Sequence, residues 1–264
     1  MYGIETIVAD RLLTCSGADS SSLGNRTQGC SDRAAIGRED GVVEAVVETT
    51  WFSATDLATL RGLGSRRSMP AGSTLFMEGD GPHDVTVVES GDIKVVITAP
   101  NGHEVVLDVV GSGELLGELS AIDGAPRSAT AIALTDCQIT SIPVDRFLGY
   151  LQDHPTSMGA LLTVVIGRLR QANRRQLEFS TADALGRVCA RLDEMSTRYG
   201  VEEDDGSVRI DLVINQTELA QWCGLSREAV VKALRKLRQL GWVSSTEGTI
   251  TIADRASLRN RGHL

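Results

Sequence analysis

Aromatic side chains are scarce. Trp, Tyr and Phe make up 4% of the 264 residues, too few for the stacking platforms that hold single-stranded nucleic acid. No apolar run approaches the length of a bilayer-spanning helix. The N-terminus lacks the cationic start of a secretory signal, and Asp10-Arg11 breaks its one apolar patch, so a cytoplasmic protein with no membrane partner is expected. The odd five cysteines, widely spaced, give no disulfide framework and no four converging thiolates for an iron–sulfur cluster. Cys15 and Cys30 stand isolated near the start, while Cys137, Cys189 and Cys223 read as small buried hydrophobes. His83, His103, His154 and His263 fall in turns or near ends, where a solvated imidazole is the default, so no haem or metal ligand is expected. No nucleophile–base pair stands out, and no enzyme is expected.

What remains is ample for folding. Hydrophobic residues at 42% and charged ones at 23% describe a globular chain, long enough for two domains. The net charge of −9 argues against bulk attraction to DNA. Its distribution does not. From Asp211 onward eight basic residues face five acidic ones, which leaves +3 there and −12 before it. A polyanion would be drawn to one end only, limiting non-specific binding.

Residues 1–47, rich in Ser, Gly, Asp and Arg, cannot bury enough apolar surface to offset ordering entropy and are expected to be a disordered arm. Within it Ile4, Ile7, Val8 and Leu12 are spaced for a short helix, and a further helix is predicted from Trp51 to Leu63. From Ser73 to about Ser141 the texture is β: "VTVVES", "IKVVITA", "EVVLDVV" and "CQITSIP" alternate with Gly-Asp, Pro-Asn-Gly and Gly-Ser-Gly breaks. Short strands without helical crossovers indicate an antiparallel sandwich or barrel. Inside this region "GELLGELSAIDGAPRSATAIA" sets Gly117-Glu118 and Arg127-Ser128 on either side of a short loop of small and polar residues. On those residues alone, a surface turn closed by a Glu118–Arg127 salt bridge fits as well as a binding site does.

After Pro155, Met158, Leu162, Val165, Leu169, Ala172, Gln176 and Phe179 recur at alternating spacings of four and three, an a/d seam that predicts a homodimer. Arg168, Arg170, Arg174 and Arg175 supply its polar flanks. An amphipathic helix packed on its own domain remains the alternative. A second helix, from Ala182 to Tyr199, and the acidic loop "VEEDDGS" follow.

The segment "QTELAQWCGLSREAVVKALRKLRQLGWV" is the most specific. Glu218 to Trp222 forms one short helix, Gly224 allows a tight turn, and Leu225 plugs the core beneath it. Ser226 is a good N-cap for a second helix to about Leu240, with Val230, Leu234 and Leu237 on its buried face. Arg227, Glu228, Lys232, Arg235 and Lys236 lie opposite, on a helix of the right diameter for the major groove of double-stranded DNA. "WVSSTEGTITIAD" reads as a hairpin around Glu247-Gly248, the wing of a winged helix.

Together these features resemble the cyclic-AMP receptor protein (CRP–FNR) superfamily of bacterial transcription regulators, over roughly residues 50 to 255. The resemblance implies an α+β fold: an N-terminal antiparallel, jelly-roll-like β-roll over 48–154, a long dimerisation helix over 155–182, and a C-terminal winged helix-turn-helix over 183–264. It makes Gly117-Glu118-Leu119 and Arg127-Ser128-Ala129 a phosphate-binding cassette for cyclic AMP. Glu118 would accept from the ribose 2′-hydroxyl, and Arg127 would pair with the cyclic phosphate. Ser128 and the backbone amides around Gly117 and Ala129 would complete the cradle. This is sound chemistry for an anion, since a guanidinium supplies many donors and small residues let backbone approach. The family's two base-reading hydroxyls are replaced by Ala172 and Asn173, which leaves the nucleotide's identity open. On the DNA side the resemblance implies contacts from Gln216, Ser226, Arg227, Glu228 and Lys232, with Arg227 addressing guanine and Glu228 a cytosine amino group in an inverted GTGA-like repeat. Lys232 stands where the family has arginine. "VEEDDGS" lies near the family's RNA polymerase contact. Two alternatives stay open: a ligand-independent regulator with a vestigial cassette, and one sensing a different small effector.

Overall fold

The computed structural model describes residues 52–246 and 249–262. The expected arm, its short helix, Trp51, the wing tip Glu247-Gly248 and His263 lie outside the described residues.

Helix α1 (Ala54–Leu63) starts at a capping box: the Ser53 hydroxyl accepts from the Asp56 amide (3.1 Å) and the Asp56 carboxylate from the Ser53 amide (3.2 Å). The β region follows as β1 (Ser65–Met69), β2 (Thr74–Phe76), β3 (Asp84–Ser90), β4 (Ile93–Thr98), β5 (Glu104–Val110) and β6 (Leu115–Leu116). A short helix α2 (Glu118–Asp123) then precedes β7 (Thr130–Ala133) and β8 (Cys137–Pro143). All pairings are antiparallel, in two four-stranded sheets of order β1-β8-β3-β6 and β2-β7-β4-β5. Val88, Ile139 and Leu116 from the first sheet meet Ile93, Val110 and Ala131 from the second in a shared core. On the other face of the first sheet, α1, α3 (Val144–Asp153) and the start of α4 (Pro155–Thr181) bury Leu60, Phe147, Leu151 and Leu161 against Val85 and Ile142.

Three of these elements differ from the sequence reading. β1 precedes the expected start of the β region. α3 has no counterpart there. The supposed loop after Gly117 is α2, bracketed by left-handed glycines, Gly117 (φ 83°) and Gly124 (φ 70°).

Helix α4 has 27 residues, which makes it about 40 Å long. Its inward face is apolar at first (Leu161, Val164) and then polar (Arg168, Gln171, Arg175, Glu178). Its outward face bears Met158, Leu162, Ile166, Leu169 and Leu177, with Leu162 59%, Leu169 60% and Leu177 64% exposed. This stripe overlaps the expected seam but is rotated: it adds Ile166 and Leu177, and Val165 is half-buried.

The C-terminal part comprises α5 (Ala184–Tyr199), the hairpin β9 (Gly200–Glu202) and β10 (Val208–Ile210), α6 (Gln216–Cys223), α7 (Arg227–Gln239), the hairpin β11 (Val243–Thr246) and β12 (Thr249–Ile252), and α8 (Arg255–Gly262). A third sheet runs β11-β12-β10-β9. Its core of Leu192, Met195, Leu219, Trp222, Val230 and Leu237 continues without a break into Val96, Val106 and Val109 of β4 and β5.

Candidate functional site

The cassette begins where β6 ends. Gly117 adopts a left-handed conformation, and a Cβ there would collide with Nη1 of Arg127. Both facts demand glycine. The guanidinium therefore packs directly on the backbone, and Nη1 donates to the Gly117 carbonyl (2.8 Å). The Arg127 backbone is fixed from the opposite side, since its amide donates to the Asp80 carbonyl and its carbonyl accepts from the Gly79 amide, both at 2.8 Å. Phe76 stacks under the guanidinium at 4.3 Å. Glu118, first residue of α2, is 1% exposed, and Ala129 is buried, whereas Ser128 and Leu119 are exposed.

The expected ion pair between Glu118 and Arg127 does not form. Arg168 of α4 donates to the Glu118 carboxylate and, through Nη2, to the Leu115 carbonyl (2.9 Å). Arg127 pairs instead with Asp84 at the start of β3: Nη2 meets the Asp84 carbonyl at 2.6 Å and its Oδ1 at 3.0 Å. Both site charges are thus paired within the chain, and about 10 Å³ of cavity remains beside Glu118 and Arg168. Arg168 and Arg175, read from sequence as flanks of the seam, turn inward, Arg175 to Glu194 of α5 at 2.9 Å. Ala172 and Asn173 are exposed on α4, so within one chain it is Arg168, one turn earlier, that reaches the cassette.

The second site is the surface of α6, α7 and the β11–β12 hairpin. Asn215 caps α6, its side chain accepting from the amides of Thr217 (2.9 Å) and Glu218 (3.0 Å). Gly224 (φ 60°) makes the turn, and a Cβ there would meet the Phe179 ring at 2.9 Å. Phe179, expected on the seam, therefore lies against the turn of the helix pair. The Ser226 hydroxyl caps α7, accepting from the Ala229 amide at 3.2 Å. Val230, Leu234 and Leu237 are buried, while Gln216, Ser226, Arg227, Glu228 and Lys232 are exposed, and of these Gln216 and Arg227 line a common cleft. Hydrogen bonds from its own amide and from Ser226 hold the Glu228 carboxyl below its usual range, so it is an ionised acceptor at neutral pH. Between α6, α7 and the hairpin opens a cleft of about 750 Å³ lined by Gln216, Thr217, Arg227, Arg238 and Ser245. Arg238 donates to Ser245 across it (3.0 Å). A helix with exposed Arg, Glu and Lys at its start, beside such a cleft, can present side chains to base edges while the hairpin meets phosphates.

Burial drives the Cys189 thiol up to about 11 and the Cys223 thiol up to about 12, and Cys137 is raised as well, so these three are inert. Among the described residues no group of His, Cys, Asp and Glu is placed to hold a metal ion, and no helix is long and apolar enough to cross a membrane.

Residues 66–154 match the family model of the cyclic nucleotide-binding domain, and residues 186–261 that of the Crp-like helix-turn-helix domain. The chain is 33% identical over 192 residues to the CRP-like cAMP-activated global transcriptional regulator of Mycobacterium tuberculosis, covering 73% of this chain and 85% of that one. It is 31% identical over 193 residues to the cyclic AMP receptor protein of Thermus thermophilus, covering 73% and 86%. A solved CRP/FNR-family transcriptional regulator, also from Thermus thermophilus, superposes with a TM-score of 0.63 at 26% identity, over 76% of this chain and 99% of that one. The fold is shared with the c-di-GMP responsive global regulator CLP of Xanthomonas campestris, at TM-score 0.65 and 24% identity over 76% and 99%.

The molecule is a DNA-binding transcription regulator that carries a cyclic nucleotide-binding domain, and its domains and relatives are those of regulators rather than enzymes. It belongs to the CRP/FNR superfamily.

Proposed function

We propose that the chain is a cytoplasmic homodimer that binds cyclic AMP in the β-roll and, so loaded, an inverted GTGA-like repeat through α7. The observation that carries the reading is the cassette itself: a buried Glu118 and a guanidinium packed on Gly117, at the start and end of one short segment. The names of the relatives in Mycobacterium tuberculosis and Thermus thermophilus support cyclic AMP as the effector. Arg127 takes the phosphate and Glu118 the ribose hydroxyl, with Ser128 and the amides near Gly117 and Ala129 around them. Ala172 and Asn173 read the base from the paired helices. An amide side chain carries a donor and an acceptor, so Asn173 discriminates adenine from guanine less sharply than a hydroxyl pair does. The outward stripe of α4 supports the dimer, and the exposed acidic residues between β9 and β10 support a contact with RNA polymerase.

Gel shifts on an inverted GTGA-like repeat with and without cyclic AMP test this. Affinity rises with the nucleotide, and Arg127→Ala abolishes that rise. Asn173→Ala narrows the difference between cyclic AMP and cyclic GMP. Arg227→Ala loses ~1–3 kcal/mol of preference at one base position. One observation favours a second reading, a regulator that needs no ligand: both site charges are already satisfied by Arg168 and Asp84. Equal affinity in both lanes would favour it.

A further inference from the structure

The partner of Arg127 decides what the cassette demands of its ligand. The side chain of Arg127 is 3% exposed, and its donors are unequally used. Nη1 serves the Gly117 carbonyl, and Nη2 is engaged twice by Asp84, through the carbonyl at 2.6 Å and through Oδ1 at 3.0 Å. Nε is buried with no hydrogen-bond partner. A guanidinium binds a phosphate best across the edge formed by Nε and Nη2, two parallel donors matched to two oxygens. One donor of that edge is orphaned, and the other is held by a carboxylate.

We propose that Asp84 is an internal competitor for the ligand's phosphate, so that cyclic nucleotide binding is an exchange of one anion for another on Arg127. The proposal rests on the reading above, that the cassette takes a nucleotide. In the exchange the longer bond, to Oδ1, opens. A phosphate oxygen replaces it on Nη2, and a second oxygen takes up the unpartnered Nε. The backbone bond to the Asp84 carbonyl stays, because Asp84 is fixed in β3 opposite Pro143 and next to the fully buried Val85.

The displaced carboxylate is provided for. Its other oxygen accepts from the Ser141 hydroxyl, and its side chain is 27% exposed, so water can hydrate the freed oxygen. Neutral nucleosides of the same shape cannot make the exchange, since removing a carboxylate from a buried guanidinium without replacing its charge is costly. Asp84 therefore makes a negative charge on the ligand a condition of entry and sets the concentration at which the site fills.

Asp84→Asn keeps shape and hydrogen bonding while removing the competing charge, and Asp84→Ser is the second variant should the first fold poorly. Calorimetric titration of the full chain is expected to show cyclic AMP binding roughly tenfold or more tighter in these variants than in the wild type, the order expected for one charged hydrogen bond. A merely structural role predicts the opposite sign. Inorganic phosphate supplies a readout independent of the effector: it should raise the melting temperature of the variants at concentrations that leave the wild type unmoved. Unchanged or weaker binding of both probes by both variants overturns the exchange. If phosphate discriminates as expected while neither cyclic AMP nor cyclic GMP binds any of the proteins, the exchange stands and the nucleotide reading falls.

Discussion

Arg198 of α5 faces two carboxylates that answer it differently. Nη1 meets Oδ1 of Asp108 at 2.6 Å and Nη2 the Val109 carbonyl at 2.8 Å, while Glu114 stands 3.3 Å from Nη2. Burial is the largest influence on the pKa of both acids and raises each. At Asp108 the charges of Arg198, Arg175 and Arg168, with the Arg198 hydrogen bond, together outweigh it and leave the carboxyl lowered. At Glu114 Arg198 and the Gly111 amide do not, and that carboxyl ends raised. A lowered carboxylate contributes stability that is present above its unfolded pKa and lost on acidification. A raised one contributes stability below its unfolded pKa that is lost as pH rises through its folded pKa. At neutral pH Asp108→Asn is therefore expected to cost ~2–3 kcal/mol, and Glu114→Gln less than ~1 kcal/mol. Urea midpoints of the two variants check this, and equal losses would refute it. None of this is readable in the sequence. Glu118 and Arg127 stand out because they are close along the chain, whereas their partners Arg168 and Asp84 lie 50 and 43 residues away. Local pattern shows that a charge is present, and only the assembled sheets show what neutralises it.

Helix α4 shows the same limit at the scale of an element. Its apolar repeat is legible as a helix with an outward apolar stripe, although the stripe is rotated from the expected register by Ile166 and Leu177. Its inward polar face is not, since arginines beside a seam read as solvated flank until Glu118 and Glu194 are placed opposite Arg168 and Arg175. Helix α2 escapes notice for another reason. Six residues between two glycines carry too little periodicity to outweigh turn chemistry. Of the helix pair α6–α7, the turn at Gly224, the Ser226 cap and the apolar triad of α7 are legible, whereas α6 begins two residues before the expected Glu218, behind an Asn215 cap that the sequence reading did not name. The stripe also yields a test. Leu162→Glu with Leu169→Glu places charge on two of its most exposed apolar positions. If they face a second copy, each stands to lose ~1.5–3 kcal/mol of burial, and light scattering at micromolar concentration should register the monomer mass with unchanged helix content. An unaltered dimer would exclude this face.

Across the whole molecule, polar ties between sensor and reader run parallel to the shared core. Arg198 and Tyr199 both reach the Val109 carbonyl, at 2.8 and 2.9 Å, and Gln221 of α6 reaches Glu104 of β5 at 3.1 Å. Arg198→Met should strip the half-buried Asp108 carboxylate of its ion-pair partner and loosen the reader. Amide hydrogen exchange in α5 and α6 should then accelerate while the strands around Ile139 stay protected, and uniform acceleration would argue against a local tie. The unbroken packing from Val96, Val106 and Val109 to Leu219 and Trp222 has a practical bearing on engineering. The two halves are not interchangeable modules. A reader transplanted onto a relative's sensor, or expressed by itself, would carry away half of a hydrophobic contact and leave the other half to water. Such hybrids should be insoluble unless the outer face of β4 and β5 travels with the graft.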